Sequence, residues 1–193
     1  MSYITKEYAM ELLENNHTPE HVILHCMEVA RVSELLAIEL NKYGYHLSLD
    51  VIKGAAMLHD ISRTDENHGE VGARIAESKG YQREADIIKD HMRYSITTDI
   101  NHLNEIDIVC LADRMVKEDK YVGLSQRMDY ILNKFHDNPK AEEIIKKRIF
   151  EHSMLLEKIE ILIGKNINDL IGENIDDFIG NNIDDLMIEK GNK

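Results

Sequence analysis

Apolar residues return every three or four positions along most of this chain. That helical rhythm predicts helices over 4–15, 19–43, 49–59, 68–79, 83–92, 104–117, 125–136 and 139–163. Local signals mark several of their ends. Thr18-Pro19 and Asn138-Pro139 read as an N-cap followed by proline at the first helical position. Ser48 and Asn104 read as N-caps, and Gly44 and Gly80 as helix-ending glycines. No window alternates apolar with polar residues as a half-buried strand would. The expected class is all-α.

The C-terminal residues have another rhythm. "IGKNINDL", "IGENIDDF" and "IGNNIDDL" (163–170, 171–178 and 179–186) form an eight-residue repeat, apolar at positions one, five and eight. The spacing suits a helical stripe, but a Gly in each unit weakens it by about 1 kcal/mol relative to Ala. The expected organisation is a domain over 1–163 and a marginally helical interaction tail over 164–193, through which the chain can self-associate into a homo-oligomer.

Five of the predicted helices set a Lewis-basic side chain on the face that should turn inward. The second runs Val22, His25, Cys26, Val29, Ser33, Leu36, Leu40; the third runs Ile52, Ala55, Ala56, His59. The fourth gives His68, Val71, Gly72, Ile75, Ala76, the fifth Ile87, Ile88, His91, and the sixth Ile106, Val109, Cys110, Asp113. One histidine so placed is ordinarily a satisfied core residue, whereas an isolated buried carboxylate is very costly. Five such helices are most simply explained by convergence on a shared cation, because imidazole and carboxylate are ligands of divalent transition metals. His17, His21, His46, His102, His136 and His152 fit no such stripe and are expected at the surface or at caps.

The pair His59-Asp60 poses a local problem. Neighbours on an unbroken helix diverge by about 100° and cannot serve one site. The following residues, Ser62-Arg63-Thr64-Asp65-Glu66-Asn67, are rich in turn formers. The helix is therefore expected to fray at the pair, letting both side chains swing toward one ion while His68 opens the next helix.

Composition narrows the chemistry further. A chain of 193 residues, 43% hydrophobic and 31% charged, fits one soluble domain with a real core. Its net charge of −13 argues against a nucleic-acid duplex as partner, since that backbone demands clustered Lys and Arg. An acidic protein that handles phosphate needs a local source of positive charge, which a metal centre supplies. No apolar run has signal-peptide or membrane-spanning length, so no membrane partner and a cytoplasmic location are expected. Cys26 and Cys110 lie on apolar helical positions and are expected as buried thiols. No Gly-rich phosphate loop or Walker-type sequence occurs.

Taken in order, "HCMEVA", "AMLHDIS", "HGEVGA", "KDHM" and "CLADRM" resemble the successive motifs of the HD-domain superfamily of metal-dependent phosphohydrolases, over roughly residues 18 to 136. "TPEHVILHC" and "LADRMVKEDKYVGLSQR" resemble a bacterial HD subgroup, some of whose members are fused to a molybdenum-cofactor-type nucleotidyltransferase. The resemblance implies that His25, His59, Asp60 and Asp113 hold one metal. It also implies that His68 and His91 serve a second ion, to which Asp60 bridges. Some HD proteins have another histidine where this chain has Met92, so occupancy by one or two ions is left open. Fe, Mn, Co, Ni and Zn all suit such ligands.

The implied reaction is hydrolysis of a phosphate ester or anhydride of a nucleotide or other small phosphorylated molecule, by metal-activated water. Asp60 and Arg63 are the expected catalytic pair, with Arg63 also contacting phosphate. Arg93, Arg114 and Lys117 are further substrate-binding candidates, Lys120 a weaker one, and Glu70 a partner that would orient an imidazole. Two other readings use the same ligands: a di-iron oxygenase, and a metal- and ligand-binding regulatory module with little turnover. The short interval from Asp60 to His68 and the nearby Arg63 favour the hydrolase over the oxygenase.

Overall fold

The computed structural model describes residues 3–173. Its helices are α1 (Lys6–Asn15), α2 (Glu20–Asn41), α3 (Leu49–Leu58), α4 (His68–Ser78), α5 (Gln82–Asp90), α6 (Glu105–Asp113), α7 (Leu124–Lys134), α8 (Pro139–Ile163) and α9 (Ile167–Glu173). A 3-10 turn covers Ile100–His102, and two short antiparallel strands, β1 (Val116–Lys117) and β2 (Lys120–Tyr121), pair between α6 and α7. The architecture is all-α with this small hairpin as its sole described sheet. Among the described residues, no helix is long and apolar enough to cross a membrane.

Helix ends follow local chemistry, with one exchange of roles. Asn104 closes a capping box with Asp107, and Asn138 caps α8 ahead of Pro139. Gly44, Gly80 and Gly164 take positive φ where α2, α4 and α8 have ended. At Thr18-Pro19, however, Pro19 occupies the cap position itself. The Thr18 hydroxyl instead donates to the Ile61 carbonyl at 2.7 Å, and the Asn16 amide donates to the same oxygen at 2.8 Å. These two bonds pin the turn that follows α3. That turn is where the helix was expected to fray: α3 stops at Leu58, leaving His59 to Asn67 in turns.

The sixth helix departs from its predicted 104–117 span by ending at Asp113. Lys117-Glu118-Asp119-Lys120 forms a tight turn, with Glu118 at φ +56°, and reverses the chain into β2. The amides of Val122 and Gly123 then donate back to the Met115 carbonyl. Two-residue strands are too short to alternate, so no period marked them in the sequence.

The core is built around α2 and α3, which pack on each other; α6 lies on both, and α1 and α5 cover α3. Val29, Val32, Leu36, Leu40, Ile52, Leu58, Ile88 and Leu111 are fully buried among them. Ile163, Ile167 and Leu170, the three apolar positions of the first eight-residue repeat, are buried too, with Ile171 behind them. Thus α9 docks on α2 and the first repeat contributes to the core. Most of the second repeat and all of the third lie outside the described residues. Cys26 and Cys110 are buried free thiols.

Helices α4 and α5 pair at close range. A Cβ on Gly69 would stand 2.9 Å from the Lys89 carbonyl oxygen and 3.2 Å from that of Ile88. One on Gly72 would stand 2.9 Å from a methyl of Ile61. This approach brings the start of α4 against the end of α5. Gly69→Ala is therefore expected to destabilise the fold by about 1–3 kcal/mol in chemical denaturation, because backbone must move. Gly172→Ala, with nothing within 4 Å, should be neutral or stabilise by up to about 1 kcal/mol.

Candidate metal centre

All six Lewis-basic residues meet at one place, five of them at or just beyond helix ends. His25 comes from the second turn of α2. His59 caps the C-terminus of α3 with Asp60 next to it, His68 begins α4, His91 caps the C-terminus of α5, and Asp113 is the last residue of α6. The rings form a chain: His25 to His59 is 5.3 Å between centroids, His59 to His91 is 5.2 Å, and His91 to His68 is 5.3 Å. Three helix C-termini, those of α3, α5 and α6, thus end at the cluster. Their partial negative charge favours a cation there.

The imidazoles are aimed by backbone carbonyls. His59 Nδ1 donates to the Ala56 carbonyl at 2.7 Å, and His91 Nδ1 donates to the Ile88 carbonyl at 2.7 Å. Each is a bond to the carbonyl three residues back, one of the orphans that a helix C-terminus leaves. His25 Nδ1 donates to the Glu118 carbonyl at 2.8 Å, so the hairpin turn with its positive φ orients a residue from α2. Because a carbonyl only accepts, Nδ1 carries the proton in each ring, and the neutral ring leaves a lone pair on Nε2. Among the described residues no hydrogen bond joins Glu70 to an imidazole; the orienting groups are these carbonyls.

The Nε2 atoms face carboxylate oxygens. His25 Nε2 lies 3.2 Å from Asp113 Oδ1, and His59 Nε2 lies 3.6 Å from Asp60 Oδ2 and 3.9 Å from Asp113 Oδ1. Across the cluster, His68 Nε2 and His91 Nε2 stand 3.3 and 3.6 Å from Asp60 Oδ1. Asp60 therefore splits its oxygens between two groups, His25-His59-Asp60 and Asp60-His68-His91, each with all ligand atoms within 4.8 Å of one another. Asp113 adds its carboxylate to the first.

The electrostatics call for positive charge in these gaps. Burial opposes ionisation of Asp60, yet the surrounding His59, His68, His91 and Arg63 hold its carboxyl well below the usual carboxylate range. Burial likewise opposes ionisation of Asp113, and Arg114 and His25 overcome it. Burial pushes His59 down to about 4, against the pull of both carboxylates. Burial also disfavours charge on His25, but Asp113 and the Glu118 carbonyl outweigh it and raise its pKa. The Nε2 atoms of His59 and His91 are buried without a hydrogen-bond partner. Lone pairs pointed at ionised oxygens repel unless a cation lies between them, so the residues fit divalent metal of the kinds that take nitrogen and oxygen ligands.

The basic candidates separate by position. Arg63 Nη1 lies 3.3 Å from Asp60 Oδ1 and 3.5 Å from His68 Nε2, with its side chain 46% exposed. Arg114 is engaged, donating to Asp113 Oδ2 at 2.6 Å, so it steadies a ligand. Lys117 sits 4.3 Å over the Tyr130 ring. Arg93 is exposed after α5, and among the described residues no hydrogen bond or ion pair of its side chain ties it to the cluster. Lys120 is exposed on β2.

Of the six histidines expected at the surface or caps, five are exposed, and His152 corrects the expectation. It is 3% exposed on α8, where its Nδ1 donates to the Arg148 carbonyl at 2.7 Å. Burial lowers its pKa to about 4, with Arg114 and Arg148 adding to the effect and Asp113 opposing it. The signal was present: Ile145, His152, Leu155, Ile159 and Ile163 are the buried stripe of α8. Arg127 was not singled out by the sequence either; its Nε is buried without a hydrogen-bond partner.

The family model for the HD domain matches residues 22–134. The chain is 30% identical over 95 residues to an uncharacterized protein of Methanocaldococcus jannaschii. That stretch is 47% of this chain and 56% of the relative, so the chain spans little more than half of that protein's length. No solved structure matches the chain.

Two measurements follow. Asp60→Ala should strip bound metal altogether, and His91→Ala should lower the metal-to-protein ratio by depleting the Asp60-His68-His91 group; elemental analysis of purified protein reads both, and an unchanged ratio in His91→Ala would exclude a second ion. For His152 the folded pKa of about 4 lies below the ordinary 6.5, so the unfolded chain binds the extra proton and stability falls as pH drops between those values. Over that window wild type should lose about 3 kcal/mol more than His152→Gln in denaturation at stepped pH.

Proposed function

Because this chain belongs to the HD-domain family, whose members are generally metal-dependent phosphohydrolases, we propose that it hydrolyses a phosphate ester or anhydride of a small phosphorylated molecule, a nucleotide being the leading class. The observation that carries the proposal is the sharing of Asp60 between two buried ligand groups with a guanidinium at its side.

His25, His59, Asp60 and Asp113 would hold one divalent ion, and Asp60, His68 and His91 a second. A divalent ion bound there acidifies water and takes up negative charge on a phosphoryl oxygen. The chain's own residues supply the rest. Carbonyl bonds at Nδ1 hold three imidazoles in one tautomer and one orientation, so no ring need turn during turnover. Arg114 fixes the Asp113 carboxylate by a charged bond, which keeps that ligand from rotating away. Arg63 is the exposed member. Its guanidinium stands beside Asp60 and offers N–H donors to an incoming phosphate oxygen, and those donors strengthen as charge builds there.

Local charge makes this workable on an acidic protein. The net charge of −13 repels anions at long range, whereas Arg63, Arg114 and Lys117 gather near the ligands. Arg63 and Arg114 are offset by Asp60 and Asp113, so over the screening distance of about 8 Å in physiological salt the positive field that a small phosphate would meet would come from the bound ion or ions together with Lys117. The same charge balance supports a small substrate over a long polyanion.

A screen of nucleoside mono-, di- and triphosphates with Mn, Co, Ni, Fe and Zn added singly tests the proposal through phosphate release. Asp60→Ala should abolish release. Arg63→Ala should retain metal while raising KM by about tenfold, the loss of one charge-assisted bond. Phosphate release by Asp60→Ala at the wild-type rate would refute the metal-centred reaction.

A further inference from the structure

One guanidinium in this neighbourhood makes no hydrogen bond or ion pair among the described residues. Arg127 lies in the first turn of α7, immediately after Gly123 turns the chain out of the hairpin at φ +78°. Its Nε is buried and makes no hydrogen bond. Its Cζ stands 5.7 Å from the Tyr130 ring centroid, and Lys117 Nζ stands 4.3 Å from the same centroid. Burial depresses its pKa, and the neighbouring charges acting on it are Asp113 first, then Arg114, Tyr130 and Arg63.

A buried N–H left without an acceptor is unfavourable, because its lost hydration is not replaced. The two other guanidiniums of the site are engaged, Arg114 by Asp113 at 2.6 Å and Arg63 by Asp60 at 3.3 Å. Arg127 joins them inside one basic neighbourhood with no carboxylate bound to it, so an anion from outside is the partner that would satisfy it.

Position separates its role from that of Arg63. Arg63 stands at the Asp60-His68 end of the cluster, within 3.5 Å of both side chains. Arg127 shares the Tyr130 ring with Lys117 of the hairpin whose Glu118 carbonyl holds His25, which sets it at the His25-Asp113 end. His59, 3.6 Å from Asp60 and 3.9 Å from Asp113, stands between the two ends. Cations therefore bracket the ligands from both sides. Lys117 accompanies Arg127 on its side, carried by the hairpin whose turn orients His25. A single phosphoryl group facing Arg63 leaves that flank unused, while two linked phosphoryl groups engage both.

We propose that Arg127, seconded by Lys117, forms a subsite for a second anionic group of the substrate, so that phosphoanhydrides are bound in preference to simple monophosphates. The inference rests on the phosphohydrolase reading and narrows its substrate class. Arg127 is a binding and specificity residue in it, and no metal ligand is reassigned.

Calorimetric titration of the full-length, metal-loaded protein with methylenediphosphonate, a non-hydrolysable diphosphate, and with orthophosphate tests it. Wild type should bind the diphosphonate more tightly. Arg127→Met should weaken diphosphonate binding about tenfold or more, the equivalent of one charged hydrogen bond, and leave orthophosphate binding, metal content and thermal midpoint near wild type. Arg127→Lys should recover part of the loss, and Arg127→Gln gives the same comparison should the Met variant not fold. Unchanged diphosphonate binding in Arg127→Met overturns the subsite while leaving the hydrolase reading standing. Equal weakening of both probes overturns it by assigning Arg127 to the phosphoryl group facing Arg63, and loss of metal overturns it by making Arg127 a support for Asp113. If wild type binds neither probe, the hydrolase reading fails and takes the subsite with it.

Discussion

Lone pairs aimed at ionised carboxylates inside an apolar core are the constraint on which this structure depends. Three imidazoles are locked by backbone carbonyls at Nδ1, which leaves a lone pair on Nε2 of each neutral ring, and the facing oxygens of Asp60 and Asp113 are held ionised by the basic groups around them. In the low dielectric of the interior such an arrangement is repulsive by itself. It becomes favourable when positive charge enters, and the fold is arranged to make that entry worthwhile. Helix C-termini end at the cluster, Arg114 steadies one carboxylate, and Arg63 flanks the other.

The scaffold around the cluster serves this convergence. Helices α4 and α5 approach so closely that glycine is required at 69, which brings His68 against His91. The turn carrying Asp60 is held by its own backbone hydrogen bonds and by Thr18 and Asn16, which both grip the Ile61 carbonyl one residue further on. That pairing sets Asp60 between the two ligand groups without needing α3 to continue.

Much of this was legible in the sequence, and the exceptions have physical reasons. Helical periodicity located the elements because burial of an apolar stripe is what stabilises them. His25, His59, His68, His91 and Asp113 stood out as polar residues on such stripes, and the turn formers after Asp60 signalled where α3 stops. The hairpin at 116–121 left no trace, since two-residue strands show no period and its reversal depends on the local conformation of Glu118. His152 lay on a readable stripe of α8 but had no neighbouring motif to single it out. Arg127 was invisible for a different reason: a half-buried guanidinium looks like a solvated one until α7 is docked. The role of Thr18 was misread because hydroxyl chemistry is the same whether it caps a helix or holds a carbonyl 43 residues away.

The bond from His25 to the Glu118 carbonyl spans 93 residues of sequence, and its partnership with Asp113 spans 88. Closing so long a segment is slow relative to forming a helix, because chain entropy is lost before the contact returns anything. During synthesis, a chain that has emerged only through α5 has five of its six ligands but neither the acid nor the carbonyl that completes the His25 end. An ion at the His25 end would therefore find its full ligand set only after the hairpin has formed and the two halves of the fold have met, whereas the Asp60-His68-His91 group is complete once α5 is in place.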